Sequence, residues 1–418
     1  MNKIEKIVYD LVKSNPRVKQ NIRNLYQSFF DILPNKKNFS INKIDLKEGY
    51  FYGFHDVTPF SEDSSKLLAN KITIPLRMPE RGDVLEVGYF NFDNGIKDFI
   101  KIGETLAWNY HKGCRLQWLK KNCIIYNHAE GDNLISCIHN IEDNSKKSLP
   151  FPIDSVSPCG QYISTFSYGR LEKLMPGYGY RVYDDISLIK EKTSKNTGLF
   201  LGDVNKKTKE LILSLQDLAK IGDLSSEDLN CHHYVTHSLF SPDGKYISFL
   251  HRWVDITYTT RRHTRLLTIN LESRECFVAP TNDMVSHYVW NKQNQIIAYS
   301  RVGNIDSHVL FEEPTLQKYR RIAYPKLNSD GHQSFISNDS FITDTYPDKN
   351  RMANLYKVDC NTENVTLLAK LNSYKKFQSL PPDRHWCCDL HPRMNSKGDL
   401  ACFDSVHTGN RAICVMKI

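Results

Sequence analysis

CHHYVTHSLFSPDGKYISFLHRW, residues 231–253, holds an extended segment (Thr236 to Phe240), a Ser-Pro-Asp-Gly turn (Ser241 to Gly244) and a second strand (Lys245 to Leu250). Pro242 presets φ for the second turn position, and Gly244 tolerates the positive φ that closes the turn. Tyr246, Ile247 and Phe249 add aromatic and β-branched strand formers. One histidine, His237, stands three residues before the apolar Phe240.

The same layout returns along the chain. An apolar anchor, a polar turn of about four residues and a strand recur from Phe60, Trp118, Val156, Phe240, Trp290, Phe335 and Met394. Further strands are expected over Gly88–Phe92, Ser136–Ile141, Leu199–Val204, Leu266–Leu271, Val309–Glu312, Asn354–Val358 and Ala412–Lys417. Seven units over residues 47–418 average about 53 residues, near the repeat length of propeller blades. One small antiparallel sheet cannot bury its own faces, whereas several packed radially bury them against each other. The expected fold is therefore all-β, a seven-bladed β-propeller over residues 41–418 with an N-terminal α-helical extension over residues 1–40. The last unit ends at its third strand, so Ile41–Leu46 is expected to supply the fourth and close the ring. Two packed sandwiches are the alternative. The insertion Leu171–Asn196, with its Pro-Gly-Tyr-Gly-Tyr run, is expected as loop on one face.

With 418 residues, 40% hydrophobic and 24% charged, the chain has the composition of a soluble globular protein. Its net charge of +8 is scattered, and no basic run approaches a nucleic-acid-binding tract. An acidic substrate or a membrane surface suits that charge. Eleven irregularly placed cysteines without a C-x-x-C pair fit a reducing cytoplasm and argue against a zinc ribbon or redox dithiol. Residues 1–33 read as a basic amphipathic helix kinked near Pro16. It would pack on the domain, lie peripherally on a membrane or dock a partner.

Counting back three residues from each anchor gives His237, His287, His332 and His391 in units four to seven, and Arg115 in unit two. His55 and Asp56 lie slightly further back in unit one. In a propeller these positions share one height around the axis, so the four imidazoles should converge at one mouth of the channel. Histidine kept for packing by repeat drift is the bland alternative. Imidazole with carboxylate, here Asp389 two before His391, suits manganese, iron, zinc or nickel.

The closing stretch LHPRMNSKGDLACFDSVHTGNRAICVMKI, residues 390–418, resembles the final blade of the oligogalacturonate lyases, propeller enzymes that cleave uronic-acid oligosaccharides. The resemblance covers roughly Cys231–Ile418. It implies His287 as catalytic base, Arg265 as an essential arginine and His332 and His391 as metal ligands. A further ligand position holds Asp389 instead of histidine, and a glutamine ligand position holds Trp386, which cannot coordinate. His237 is a third catalytic candidate; it, His385 or water is a candidate to complete the shell of a divalent ion, manganese first. Arg115, Arg252, Arg261 and Arg262 are candidate substrate-binding cations, with solvated loop charge as their alternative.

The resemblance implies metal-dependent β-elimination on a uronic-acid-containing oligo- or polysaccharide. The alternatives are a propeller that binds or remodels an acidic glycan during cell-surface polysaccharide synthesis, and a protein-interaction propeller.

Overall fold

The computed structural model describes Ile22, Leu25 and residues 37–182, 185–256, 262–378 and 385–418. The expected N-terminal helical extension lies outside the described residues save Ile22, Leu25 and residues 37–40, and there Phe39–Ser40 is a strand instead. Arg261 lies outside them too.

Seven antiparallel sheets stand around one axis. The innermost strands of blades one to seven are Tyr50–Phe51, Gln117–Lys120, Ser155–Val156, His232–Phe240, Val285–Trp290, Gln333–Ser337 and Arg393–Met394. This arrangement overturns the two-sandwich alternative. Blade seven takes its outermost strand from the other end of the chain. Ile44–Glu48 pairs antiparallel with Ala412–Lys417, with Ile44 opposite Met416 and Leu46 opposite Cys414. The sequence places this closing strand a few residues early, at Ile41–Leu46. Two residues before that, Phe39–Ser40 adds a fifth strand to blade six, opposite Lys370 and Ala369.

The repeat is visible in the backbone. Four residues past the anchor, six of the seven units take a left-handed φ: Ser64, Asn122, Gly160, Gly244, Asn294 and Gly398. Glycine and asparagine are the residues that tolerate that region. One residue past the anchor, a polar side chain accepts the N–H six past the anchor. Ser61 accepts from Lys66, Ser157 from Tyr162, Ser241 from Tyr246 and Asn395 from Leu400, at 2.9–3.1 Å. The sixth unit differs, pairing Ser337 with Ser340 across a shorter turn.

Apolar side chains gather between neighbouring blades. Ile297 and Leu310 of blade five meet Phe341 and Val358 of blade six. Ile342 and Leu355 of blade six meet Phe403 and Cys414 of blade seven. Each sheet thus buries its faces against the next, as radial packing requires. The insertion after blade three's second strand is more ordered than a loop. It carries a helix, Tyr168–Leu174, capped by Ser167, and a single 3-10 turn at Ile186–Ile189. Arg170 ties it down by donating to the carbonyls of His233, Leu188, Glu191 and Lys192.

Candidate metal centre

The offset three before the anchor has its own backbone signature. Arg115, His237 and His391 all take a positive φ, of 55°, 55° and 45°. That is uncommon for residues with a Cβ and persists where neighbouring contacts over-determine it. Blades four and five also slip register between Thr236 and Leu239 and between Val285 and Tyr288. Bulges of this kind re-aim a side chain, here toward the axis. Buried carboxylates hold the bent segments. Asp154 accepts Ser238 N–H at 2.7 Å, and Asp344 accepts His391 N–H at 2.9 Å.

The result is a cage of imidazoles around Phe54. Its ring centroid lies 4.7–6.1 Å from those of His55, His237, His287, His332 and His391. His287 and His332 are 4.0 Å apart, and His332 and His391 are 4.1 Å apart. All five are buried. Burial pushes His237, His332 and His391 well below the ordinary imidazole range and His55 down to about 3. Each is therefore neutral at pH 7, the form that binds metals.

His332, Asp389 and His391 place one ligand atom each within 4.8 Å of one another. His332 is oriented for this. Its Nδ1 lies 2.9 and 3.0 Å from the two oxygens of Asp344, which also accepts the His332 N–H at 2.7 Å. The carboxylate keeps the proton on Nδ1 and leaves the Nε2 lone pair for a cation. A neutral imidazole pair with a carboxylate suits a divalent ion of the manganese, iron or zinc type.

His287 sits beside this set. Its Nδ1 lies 3.0 Å from Ser286 Oγ and 3.5 Å from Asp330 Oδ1, and the serine donates to Asp330 at 2.7 Å. His237 hydrogen-bonds Thr236 through Nδ1 at 2.8 Å, its carbonyl accepts from Tyr288 Oη, and its buried Nε2 has no partner among the described residues. His55 likewise anchors Nδ1 on Gln333 O at 2.8 Å and leaves Nε2 unpaired among the described residues.

The arginines divide. Arg265 is not brought to the cage: it donates to His251 Nδ1 at 3.0 Å and to the carbonyls of Ile221 and Leu218, each at 2.7 Å. Arg115 is enclosed, pairing with Asp56 at 2.8 Å and donating to Asp154 O at 2.7 Å. Arg252 is buried against Met175, and Arg262 donates to Leu174 O at 3.2 Å. Both oppose the upward shift that burial imposes on the Tyr178 phenol. Trp386 donates its indole N–H to Lys376 O at 2.9 Å.

Sequence reasoning missed Asp344, Phe54, His111, Cys387 and the axial ion pair between Lys112 and Asp154, 2.7 Å long and fully buried. Asp344 had a readable signal: it ends blade six's second strand, and Asp404, one residue before the end of blade seven's, accepts Tyr52 and Gly53 N–H at 3.0 Å. His111 had none, since its partners lie at the far end of the chain.

No family model and no curated protein matches the chain. Among solved structures it is similar to an oligogalacturonate lyase in complex with manganese, at 10% identity and a TM-score of 0.44, covering 92% of this chain and 98% of that one. It is also similar to an oligogalacturonate lyase from Vibrio parahaemolyticus, at 11% identity and a TM-score of 0.43, covering 92% of this chain and 99% of that one. The tricorn protease is similar at 10% identity and a TM-score of 0.48, over 88% of this chain and 34% of that one. The likeness is one of fold.

Proposed function

We propose that this propeller is a metal-dependent lyase that cleaves a uronic-acid-containing oligo- or polysaccharide by β-elimination. The observation that carries the reading is the assembly of His332, Asp389 and His391 within ligand distance, with His287 packed 4.0 Å from His332. The first three would hold a divalent ion, manganese first, with zinc, iron or nickel as alternatives. When bound, the ion supplies positive charge beside the uronate carboxylate as the C5 proton leaves.

His287 is the base. Ser286 and Asp330 hold its Nδ1 proton, so Nε2 takes the C5 proton. The C5–H electron pair becomes the C4–C5 double bond, and the C4–O glycosidic bond breaks with its electron pair going to the leaving oxygen, which takes the proton from the His287 imidazolium. Arg252 and Arg262 are the cations assigned to substrate oxygens, through their planar forks. Phe54 and the buried imidazoles keep water from the cage.

The enclosure of the imidazoles favours a second reading: a propeller that binds an acidic polysaccharide during its synthesis without cleaving it. Ultraviolet absorbance of the unsaturated uronate, measured on manganese-loaded protein with uronate oligomers, separates the two. Product that disappears in His287→Ala supports the lyase. Metal-loaded protein that binds the oligomers and forms no product sinks it.

A further inference from the structure

A second group of metal-ligand side chains shares Asp389 with the first. His111, from the segment joining blades one and two, Cys387 and Asp389 also place one ligand atom each within 4.8 Å of one another. We propose that these three residues bind a second, softer divalent ion, zinc by its chemistry, and that the Asp389 carboxylate bridges it to the ion held by His332 and His391.

The spacing carries the argument. A tetrahedral zinc with bonds of about 2.0–2.1 Å to imidazole nitrogen and about 2.3 Å to thiolate sets its ligands roughly 3.3–3.6 Å apart. His111 Nε2 and Cys387 Sγ are 3.8 Å apart, and Cys387 Sγ and Asp389 Oδ2 are 3.8 Å apart. A second imidazole, His385, flanks the group with Nδ1 3.3 Å from His111 Nε2, and water would complete the tetrahedron.

The His111 ring is held in plane by stacking on Tyr178, with centroids 4.6 Å apart and 5° between planes. A thiolate among the donors is what selects zinc over manganese here, because soft sulfur favours the softer ion. The first set has no sulfur. One carboxylate with two oxygens then serves two ions of different character, an arrangement that fits bridging two oxygens of one substrate.

The inference does not rest on elimination activity. The full chain is stripped with chelator, reloaded with cobalt and read by ultraviolet absorption and by metal content. The expected result is two ions per chain and a thiolate-to-cobalt charge-transfer band. Cys387→Ser removes the band and one ion, whereas His391→Ala removes the other ion and keeps the band. Cobalt-loaded wild-type protein without the band overturns the proposal, as does a single ion lost in both variants. A wild-type chain that shows the band and yields no unsaturated product leaves this site standing and removes the lyase reading.

Discussion

Replacing Asp344 with asparagine tests how the fold prepares His332 for a cation. The carboxylate accepts three N–H groups: the backbone of His332 at 2.7 Å, the backbone of His391 at 2.9 Å and the His332 ring at 2.9 Å. Burial pushes its pKa up, and the donors around it oppose that shift. An asparagine keeps the shape but turns one acceptor into a donor. At least one buried N–H then loses its partner, which destabilises the fold by about 1–3 kcal/mol. The amide NH2 also faces His332 Nδ1 and moves the ring proton to Nε2, where it blocks the ligand lone pair. Loss of such a partner weakens metal binding about 10–100-fold, roughly 1.4–2.7 kcal/mol. Asp404→Asn is the matched control. It removes the same kind of clamp, on Tyr52, Gly53 and Arg393, without touching a ligand. Isothermal titration with manganese and urea unfolding should show both variants destabilised and only Asp344→Asn weakened in metal binding. Folded Asp344→Asn that binds manganese as tightly as wild type refutes the reasoning.

His287→Ala should lower the elimination rate about 10²–10⁴-fold and leave manganese content unchanged by elemental analysis. Stability should fall as the solution is acidified from pH 6.5 toward 4, because buried His308 is held down to about 4. The unfolded chain takes up its proton first, so the folded state loses about 3 kcal/mol across that window and nothing above it. Urea midpoints against pH should be flatter in His308→Gln. Lys112→Met should lower the unfolding free energy by about 1–3 kcal/mol, since Asp154 loses one charged donor and keeps Arg115, Tyr168 and Ser238. Removing residues 1–48 should expose the edge of Ala412–Lys417 and produce aggregates by light scattering.

The blades were legible because each repeats a short turn whose chemistry is local. A left-handed Gly and a Ser or Asn side chain folded onto the backbone suffice to mark Val156, Phe240 and Met394 as equivalent. The closing strand was legible by counting, since blade seven runs out of chain. The convergence of His237, His287, His332 and His391 followed from that register. What register could not give was the filling of the axis. Phe54 enters it from a blade with no histidine at the same offset. Lys112 and Asp154 neutralise each other from different blades. Arg265 read as a site residue from resemblance, but the segment joining blades three and four supplies the carbonyls of Leu218 and Ile221 that occupy it. The His111 group joins residues 276 positions apart, a distance at which no spacing rule applies.

Anomalous diffraction recorded at the manganese edge, from crystals of the full chain grown with manganese, tests the central claim most directly. A peak bounded by His332, Asp389 and His391, reached by His332 through Nε2, is the expected result. A cage with ordered imidazoles and no anomalous density among those three side chains contradicts it.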